Sequence, residues 1–100
     1  MAREQLFAVI RTRGARWDGS QSLEGQPDWK GHASFMNALA KDGIVVLGGP
    51  LEGTPDVLLV FRAKTSDEIL ACLSDDPWTR MDILRVSRVT PWNLRLGSIP

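Results

Sequence analysis

Apolar residues fall along the chain in short continuous runs, a pattern typical of strands buried inside a domain. The run at 5–12 is β-branched and aromatic without helical gaps, and it predicts a first strand covered on both faces. Similar runs predict three further strands, at 44–51, 57–62 and 83–90. A turn at 52–56 separates the second and third of the four strands, so these two should form an antiparallel hairpin.

A first helix is predicted between the first two strands. Pro27 and Asp28 favour a helix N-terminus, and Gly43 favours a helix end. At 100° per residue, one face of this helix is apolar and should point inward. The inward face carries Trp29, His32, Ala33, Met36, Leu39 and Ala40, and the opposite face carries Lys30, Ser34, Asn37 and Lys41.

The capping box of Thr65 and Glu68 begins a second helix, which should end in a turn at 75–78. The resulting order, β-α-β-β-α-β, predicts an α+β, ferredoxin-like fold in which two helices cover one face of a four-stranded antiparallel sheet. We expect residues 1–100 to form one such domain, with a C-terminal tail at 93–100. The uncovered sheet face is too apolar for water, so the sequence predicts a homodimer.

A long segment at 14–26 separates the first strand from the first helix. It holds three glycines and two serines without periodicity, and loops of this length often act as lids. We expect this loop to be mobile and to close over a pocket. Its aromatic residue, Trp17, is expected to pack back onto the domain.

The charge balance argues against polyanionic partners. Twelve basic and twelve acidic residues give a formal net charge of zero, without the basic excess that nucleic-acid or anionic-membrane binding requires. The sequence has no apolar run long enough for a membrane span, and its first residues are too polar for a signal peptide. We therefore expect a cytoplasmic protein that binds neither nucleic acid nor membrane.

Single cysteine and histidine residues restrict the chemistry further. Cys72 has no partner for an intrachain disulfide, and His32 alone cannot build a zinc site of several imidazoles. The glycines at 48–53 lack the spacing of a phosphate-binding loop, and Pro50 removes an amide donor. We therefore expect no metal and no cofactor, although a backbone this rich in glycine lets a small ligand approach closely at Gly49.

Segments at three places resemble the YCII-related family of small proteins, namely 27–50, 75–78 and 86–92. The resemblance implies two ferredoxin-like subunits packed sheet to sheet in a dimeric α/β barrel, the fold of muconolactone isomerase-like enzymes. It also implies an active site made by a histidine on the first helix and an aspartate in an Asp-Pro-aromatic motif. These correspond to His32 and Asp76, since Asp76 directly precedes Pro77, whereas the neighbouring Asp75 is the alternative.

An imidazole held by a carboxylate can accept and return a proton near neutral pH. The sequence has no marked nucleophile and no cofactor motif, so the chemistry that fits is proton abstraction from a small cyclic or carbonyl compound, leading to isomerisation or elimination. The pocket is expected between the helices and the sheet. Its small-molecule ligand should contact Arg11, Arg13, Trp29, Phe35, Met36, Gly49 and Trp78.

Two alternatives use the same residues. His32 could be a satisfied core histidine and Asp76 a turn residue, which would make the protein a non-catalytic dimeric module that binds a small ligand or another protein. The arginines of the first strand and loop could equally form a solvated cluster with nearby carboxylates. The residues concerned are Arg11, Arg13, Arg16, Asp18 and Glu24.

Overall fold

The structure is a computed structural model that describes residues 4–99. Its strands and helices, in chain order, are β1 (Gln5–Arg13), α1 (Trp29–Lys41), β2 (Val45–Pro50), β3 (Asp56–Ala63), α2 (Ser66–Leu73), α3 (Pro77–Arg80) and β4 (Leu84–Trp92). The sheet has the strand order β2-β3-β1-β4, and every neighbouring pair is antiparallel. This topology confirms the predicted α+β, ferredoxin-like fold.

The main hydrophobic core lies between the sheet and the helices. β1 is central in the sheet, and its side chains alternate between the two faces. Phe7 and Val9 point to the helix side and are fully buried. They belong to a core cluster completed by Leu39, Val45, Leu59, Phe61, Ala63, Ile69 and Leu73.

The opposite face of the sheet has no helix over it. Ala8 and Ile10 of β1 are only half-buried there, so a single copy of the chain covers this strand fully on one face, and cover on both faces stays a prediction. Part of the C-terminal tail lies against this face, where Leu94 and Ile99 line a surface cleft together with Leu58 of β3. The remaining apolar surface of this face is therefore open to a partner.

Helix α1 begins two residues later than the sequence predicts. Asp28 is its N-cap, in the left-handed conformation with φ of 53°, and its carboxylate accepts a hydrogen bond from Gly31 N. Gly31 cannot carry a side chain here, since a Cβ would lie 2.5 Å from Asp28 Oδ2. Gly43 ends the helix with φ of 76°, as predicted. His32 is buried on the inward face, whereas Ala40 is exposed because it borders a cavity described below.

The sequence predicts only a turn at 75–78, but Pro77–Arg80 forms the one-turn helix α3. Asp76 is its N-cap and accepts a hydrogen bond from Trp78 N, while Pro77 stands in the first turn, where no amide hydrogen is needed. The Asp-Pro pair is thus a helix start signal. None of the helices within 4–99 is long and apolar enough to cross a bilayer.

Strand β4 continues to Trp92, two residues beyond the predicted end. A proline inside a central strand would break the hydrogen-bond ladder, but β4 lies at the edge of the sheet, where an outward position needs no amide. Pro91 is paired in register with Phe7, and Trp92 with Leu6. The proline therefore marks an edge strand and does not end it.

The segment 14–26 is a compact loop that is tied to the body at its start. Gly14 N donates a hydrogen bond to Ile83 O at 2.8 Å. Arg16 N donates one to the carbonyl oxygen of Asp82, the residue before Ile83. Trp17 packs edge-on against Trp78 with ring centroids 6.2 Å apart, as the sequence predicts for a loop tryptophan that returns to its own domain.

Gln26 holds the second half of this loop. It is 2% exposed, and its amide spans the loop interior: Oε1 accepts from Asp18 N at 2.9 Å, and Nε2 donates to Asp18 O at 2.8 Å. Nε2 also lies within hydrogen-bond distance of the carbonyls of Gln21 and Ser22. The mobility predicted for the segment stays a prediction, and any opening has to break these bonds.

We expect Gln26→Ala to lower the free energy of unfolding by about 2 kcal/mol, because it removes the hydrogen bonds that the buried amide of Gln26 makes to the loop backbone. Amide hydrogens in 14–26 should also exchange faster. Urea unfolding and hydrogen exchange measure the two effects, with Gln21→Ala, an exposed glutamine of the same loop, as the matched control. Equal exchange rates in the two variants would show that Gln26 does not hold the loop.

Candidate active site

His32 occupies the middle of the inward face of α1 and is 8% exposed. Its ring stacks on Trp78, with centroids 3.8 Å apart and an angle of 3° between the planes. Trp29, one turn earlier on α1, lies against both rings at a tilt. The indole of Trp78 is fixed in turn, since its Nε1 donates to Pro27 O at 2.7 Å. The imidazole therefore has one orientation set by aromatic packing.

Asp76 faces His32 from the N-terminus of α3 and is completely buried. His32 Nδ1 lies 3.0 Å from Oδ1 and 2.9 Å from Oδ2 of this carboxylate. Asp75, the alternative partner, points to the surface and forms an exposed ion pair with Arg80 at 3.3 Å. The geometry thus brings His32 together with Asp76 and leaves Asp75 outside.

The protonation state of Asp76 fixes which nitrogen of the imidazole carries hydrogen. Burial alone would raise the pKa of Asp76, but hydrogen bonds from His32 and Arg11, the amide of Trp78 and the charge of Arg11 together hold it below the ordinary 3.8. An ionised carboxylate only accepts hydrogen bonds, so Nδ1 must be the donor. Within 4–99, Nε2 has no hydrogen-bond partner, and in the neutral ring it holds the free lone pair.

Arg11 supplies the second contact to Asp76. It lies on β1 at 1% exposure, where Nη1 donates to Asp76 Oδ2 at 2.7 Å and Nη2 donates to Thr79 Oγ1 at 2.9 Å. The hydroxyl group of Thr79 in turn donates a hydrogen bond to Leu73 O at 2.7 Å. The solvated cluster considered for the arginines therefore does not include Arg11. Strand alternation could have indicated this, since Arg11 shares the inward face with Phe7 and Val9.

A cavity of about 300 Å³ lies beside His32, between α1 and the sheet next to the edge strand β2. Its walls are mostly apolar, and its ionisable side chains among the described residues are Arg11 and His32. The lining residues are Arg11, Leu23, Trp29, His32, Met36, Asn37, Ala40, Val45, Val46, Leu47, Gly48, Gly49, Pro50, Val57, Leu59 and Leu84. Such a volume suits a small ligand.

Five of the residues predicted to form the site line this cavity: Arg11, Trp29, His32, Met36 and Gly49. Trp78 stands behind His32 as its stacking partner. Phe35 packs against the main core because it lies on the side of α1 that faces this core. Arg13 shares the face of β1 that carries Arg11, but it is exposed at the end of the strand, where its guanidinium carbon lies 4.6 Å from the centre of the Trp17 ring.

Among the wall residues that sequence reasoning does not name, Leu23 and Asn37 are the least expected. Leu23 comes from the loop 14–26, whose path has no periodicity to predict, and Asn37 lies on the face of α1 expected to be solvated. The apolar character of Leu23 within a polar loop is the signal that could have marked it. In the part of the chain described, no three His, Cys, Asp or Glu side chains are grouped so as to hold a metal ion.

One solved structure of similar fold is that of 5-chloro-2-hydroxyhydroquinone dehydrochlorinase (TftG) from Burkholderia phenoliruptrix AC1100, in complex with 2,5-dihydroxybenzoquinone. The two chains are 19% identical, the likeness covers 93% of this chain and 96% of the other, and the TM-score is 0.64. No protein-family profile and no curated protein sequence matches the chain. At this identity the likeness shows a shared fold alone, and the YCII-related resemblance stays a prediction.

Asp76→Asn should lower the free energy of unfolding by about 3 kcal/mol at neutral pH, because Arg11 stays buried without a counter-charge. The stabilisation from Asp76 is present above its unfolded-state pKa, near 3.8, and is lost as the pH falls through the lower folded-state value. The Asn variant should lack this acid-dependent part.

Urea unfolding at pH values between about 7 and 2 measures both effects. Asp75→Asn is the matched control, since this neighbouring carboxylate is exposed and its removal should cost under about 0.5 kcal/mol. Similar losses in the two variants would mean that the buried contacts of Asp76 contribute nothing special to stability.

Proposed function

We propose that the protein is a cofactor-free acid/base enzyme that moves a proton on a small cyclic or carbonyl compound, in an isomerase or lyase type of reaction. His32 is the general base and Asp76 orients it. The observation that carries the proposal is the buried Nδ1 contact with an ionised carboxylate, which leaves Nε2 free on a residue that lines the cavity.

The proposed step transfers a proton from an acidic C–H or O–H bond of the substrate to His32 Nε2. The electron pair of the broken bond moves into the conjugated system of the substrate. Either a carbonyl oxygen receives the charge or a leaving group departs with it from a tetrahedral carbon, which a halogenated hydroquinone has in its keto tautomer. In an isomerisation the imidazolium returns the proton to another carbon, and in an elimination it releases the proton to solvent. Asp76 stabilises the imidazolium, and the face of Trp78 favours the same cation.

Two observations support a ring compound as the substrate. The cavity is small and its walls include the aromatic Trp29 beside aliphatic side chains, which suits a planar six-membered ring. The neighbour of similar fold is named for the loss of hydrogen and chloride from a chlorinated hydroxyhydroquinone, and it binds a dihydroxybenzoquinone. We therefore take elimination from a halogenated hydroquinone as the first reaction to test.

We expect His32→Gln to lower turnover by about 10²- to 10⁴-fold while the protein stays folded, because glutamine keeps a polar side chain but cannot take up a proton. Release of chloride from 5-chloro-2-hydroxyhydroquinone provides the assay, and calorimetry with 2,5-dihydroxybenzoquinone measures binding. Lys30→Gln, an exposed position on the same helix, is the matched control.

Turnover that survives in His32→Gln would contradict the assignment of the base. Tight binding with no turnover in the parent protein, on this and related ring compounds, would instead support the alternative of a ligand-binding module without catalysis.

We also propose that two copies pair through the helix-free face of the sheet, as the sequence predicts. Ile10 and Leu58 lie opposite each other in the register of this face and are half-buried, and Trp92 beside them is 43% exposed. Contiguous apolar surface of this kind favours association. An obligate pairing would bury on the order of 2,000 Å² or more.

Leu58→Lys should convert the dimer into a monomer, because the charge would be buried in the interface. Light scattering at micromolar concentration measures the mass. Leu70→Lys is the matched control, since Leu70 is an exposed leucine on α2, away from this face. A monomeric parent protein, or equal masses of the two variants, would contradict the pairing.

A further inference from the structure

The polar centre of the site consists of three groups, and their charges balance. Arg11 carries one positive charge, Asp76 one negative charge, and a neutral His32 none. The contact from Arg11 to Asp76 Oδ2, at 2.7 Å, is shorter than the 2.9 Å contact from His32 Nδ1 to the same oxygen. Asp76 therefore has its charge compensated before His32 takes up a proton.

No other charged side chain on the neighbouring elements competes for this centre. Those of α1 and α3, and of the residues that precede them, lie at the surface, and the cavity lining has no carboxylate among the described residues. The surface groups are Asp28, Lys30, Lys41, Asp75 and Arg80. The state of His32 is thus governed by its two buried partners.

A buried histidine and aspartate without a third partner would behave differently. A carboxylate whose only counter-charge is the imidazolium favours the protonated ring, and a protonated ring cannot act as a base. Arg11 removes this requirement, and its second bond to Thr79, which is itself tied to Leu73 O, prevents the guanidinium from turning away. The planar fork of arginine makes both bonds at once, which a lysine cannot do.

We propose that Arg11 is a positioning residue of the site: by compensating the charge of Asp76, it keeps His32 a neutral base with its lone pair on Nε2. The same balance makes the resting site electrically neutral. Proton transfer to His32 then leaves the site with one positive charge at the moment when the substrate gains one negative charge. This inference rests on the proposed function and adds a substrate class, compounds that form an enolate or phenolate oxyanion.

The charge balance favours such substrates for a simple reason. Beside the buried side chains of Arg11 and Asp76 and against mostly apolar walls, charges interact more strongly than they do in open water. A site made of Asp76 and His32 alone would hold either an imidazolium, which cannot accept a proton, or a neutral ring beside an uncompensated negative charge, which would repel an oxyanion. With Arg11 present, the imidazolium and the oxyanion form as a pair of opposite charges.

The single histidine of the chain makes the test direct, since one imidazole gives one set of nitrogen signals. ¹⁵N NMR of the intact parent protein should show the neutral Nδ1–H tautomer at about pH 8. In Arg11→Met, these signals should show a protonated ring at a pH at which the ring of the parent protein is still neutral. Arg13→Met is the matched control and should leave the signals close to those of the parent protein, because Arg13 is exposed, stacks on Trp17 and contacts neither Asp76 nor His32.

A lower stability of Arg11→Met with an unchanged titration would show that Arg11 is structural only, and would overturn the proposal. Where Arg11→Met does not fold, Arg11→Lys replaces it: the charge is kept, so proton uptake should stay close to that of the parent protein. An Nε2–H tautomer or an imidazolium in the parent at pH 8 also overturns the proposal. These readings need no turnover, so they remain valid where the assay for the proposed function fails.

Discussion

The buried carboxylate of Asp76 is the constraint on which this site depends. It is completely removed from water, and such a charge is tolerated only where donors surround it. Two donors come from distant parts of the chain, Arg11 from β1 and His32 from α1, and the third is the neighbouring amide of Trp78 in α3. The carboxylate thus joins sheet and helices at the point where the cavity lies. Its demand for partners fixes the position of the histidine as firmly as the packing does.

Aromatic packing supplies the rigidity that the hydrogen bonds alone would not give. Trp78, Ile83 and Leu84 form a second, smaller cluster apart from the main core, with Trp17 and Trp29 packed against it. This cluster holds the imidazole flat against an indole, while the loop 14–26 closes its outer side. Without that loop one face of Trp78 would lose its cover. The loop therefore belongs to the structure of the site even before any ligand binds.

The sequence predicts those helices and strands whose ends and faces are set by residues close together in the chain. The four strands follow from apolar runs, the end of α1 from Gly43, and the start of α2 from Thr65, whose side chain accepts a hydrogen bond from Glu68 N. The extension of β4 past Pro91 was missed, because a proline is acceptable only at an edge and the edge is known only from the assembled sheet. The sequence at 75–78 contained the start signal of α3, but a turn before a proline gives a similar pattern.

In the site, too, some features can be predicted from nearby residues and others depend on the folded chain. The helical phase of α1 turns His32 inward, whereas Asp76 is named only through the resemblance to the YCII-related family and its Asp-Pro-aromatic motif. The contact between them, and the part played by Arg11, depend on elements 44 and 65 residues apart in sequence. A single chain without its fold does not reveal such distances. From the sequence alone, an arginine on a strand is equally consistent with an exposed charge and with a buried counter-ion. Only the burial of Asp76 shows that Arg11 is a counter-ion.

The cavity itself arises from a lack of side chains at the edge of the sheet. β2 carries Gly48 and Gly49 beside α1, and a Cβ at Gly48 would lie 2.6 Å from Leu59 Cδ2, so larger residues there would displace the wall. Gly49 pairs with Leu58 of the helix-free face, so the position of its missing Cβ faces away from the cavity, and Gly49 lines the cavity with its backbone. The space therefore opens beside the one imidazole of the chain, against walls that are mostly apolar. An apolar wall strengthens the electrostatic interaction between charges that develop beside it. A histidine base whose carboxylate partner is already neutralised by an arginine is therefore chemically useful there.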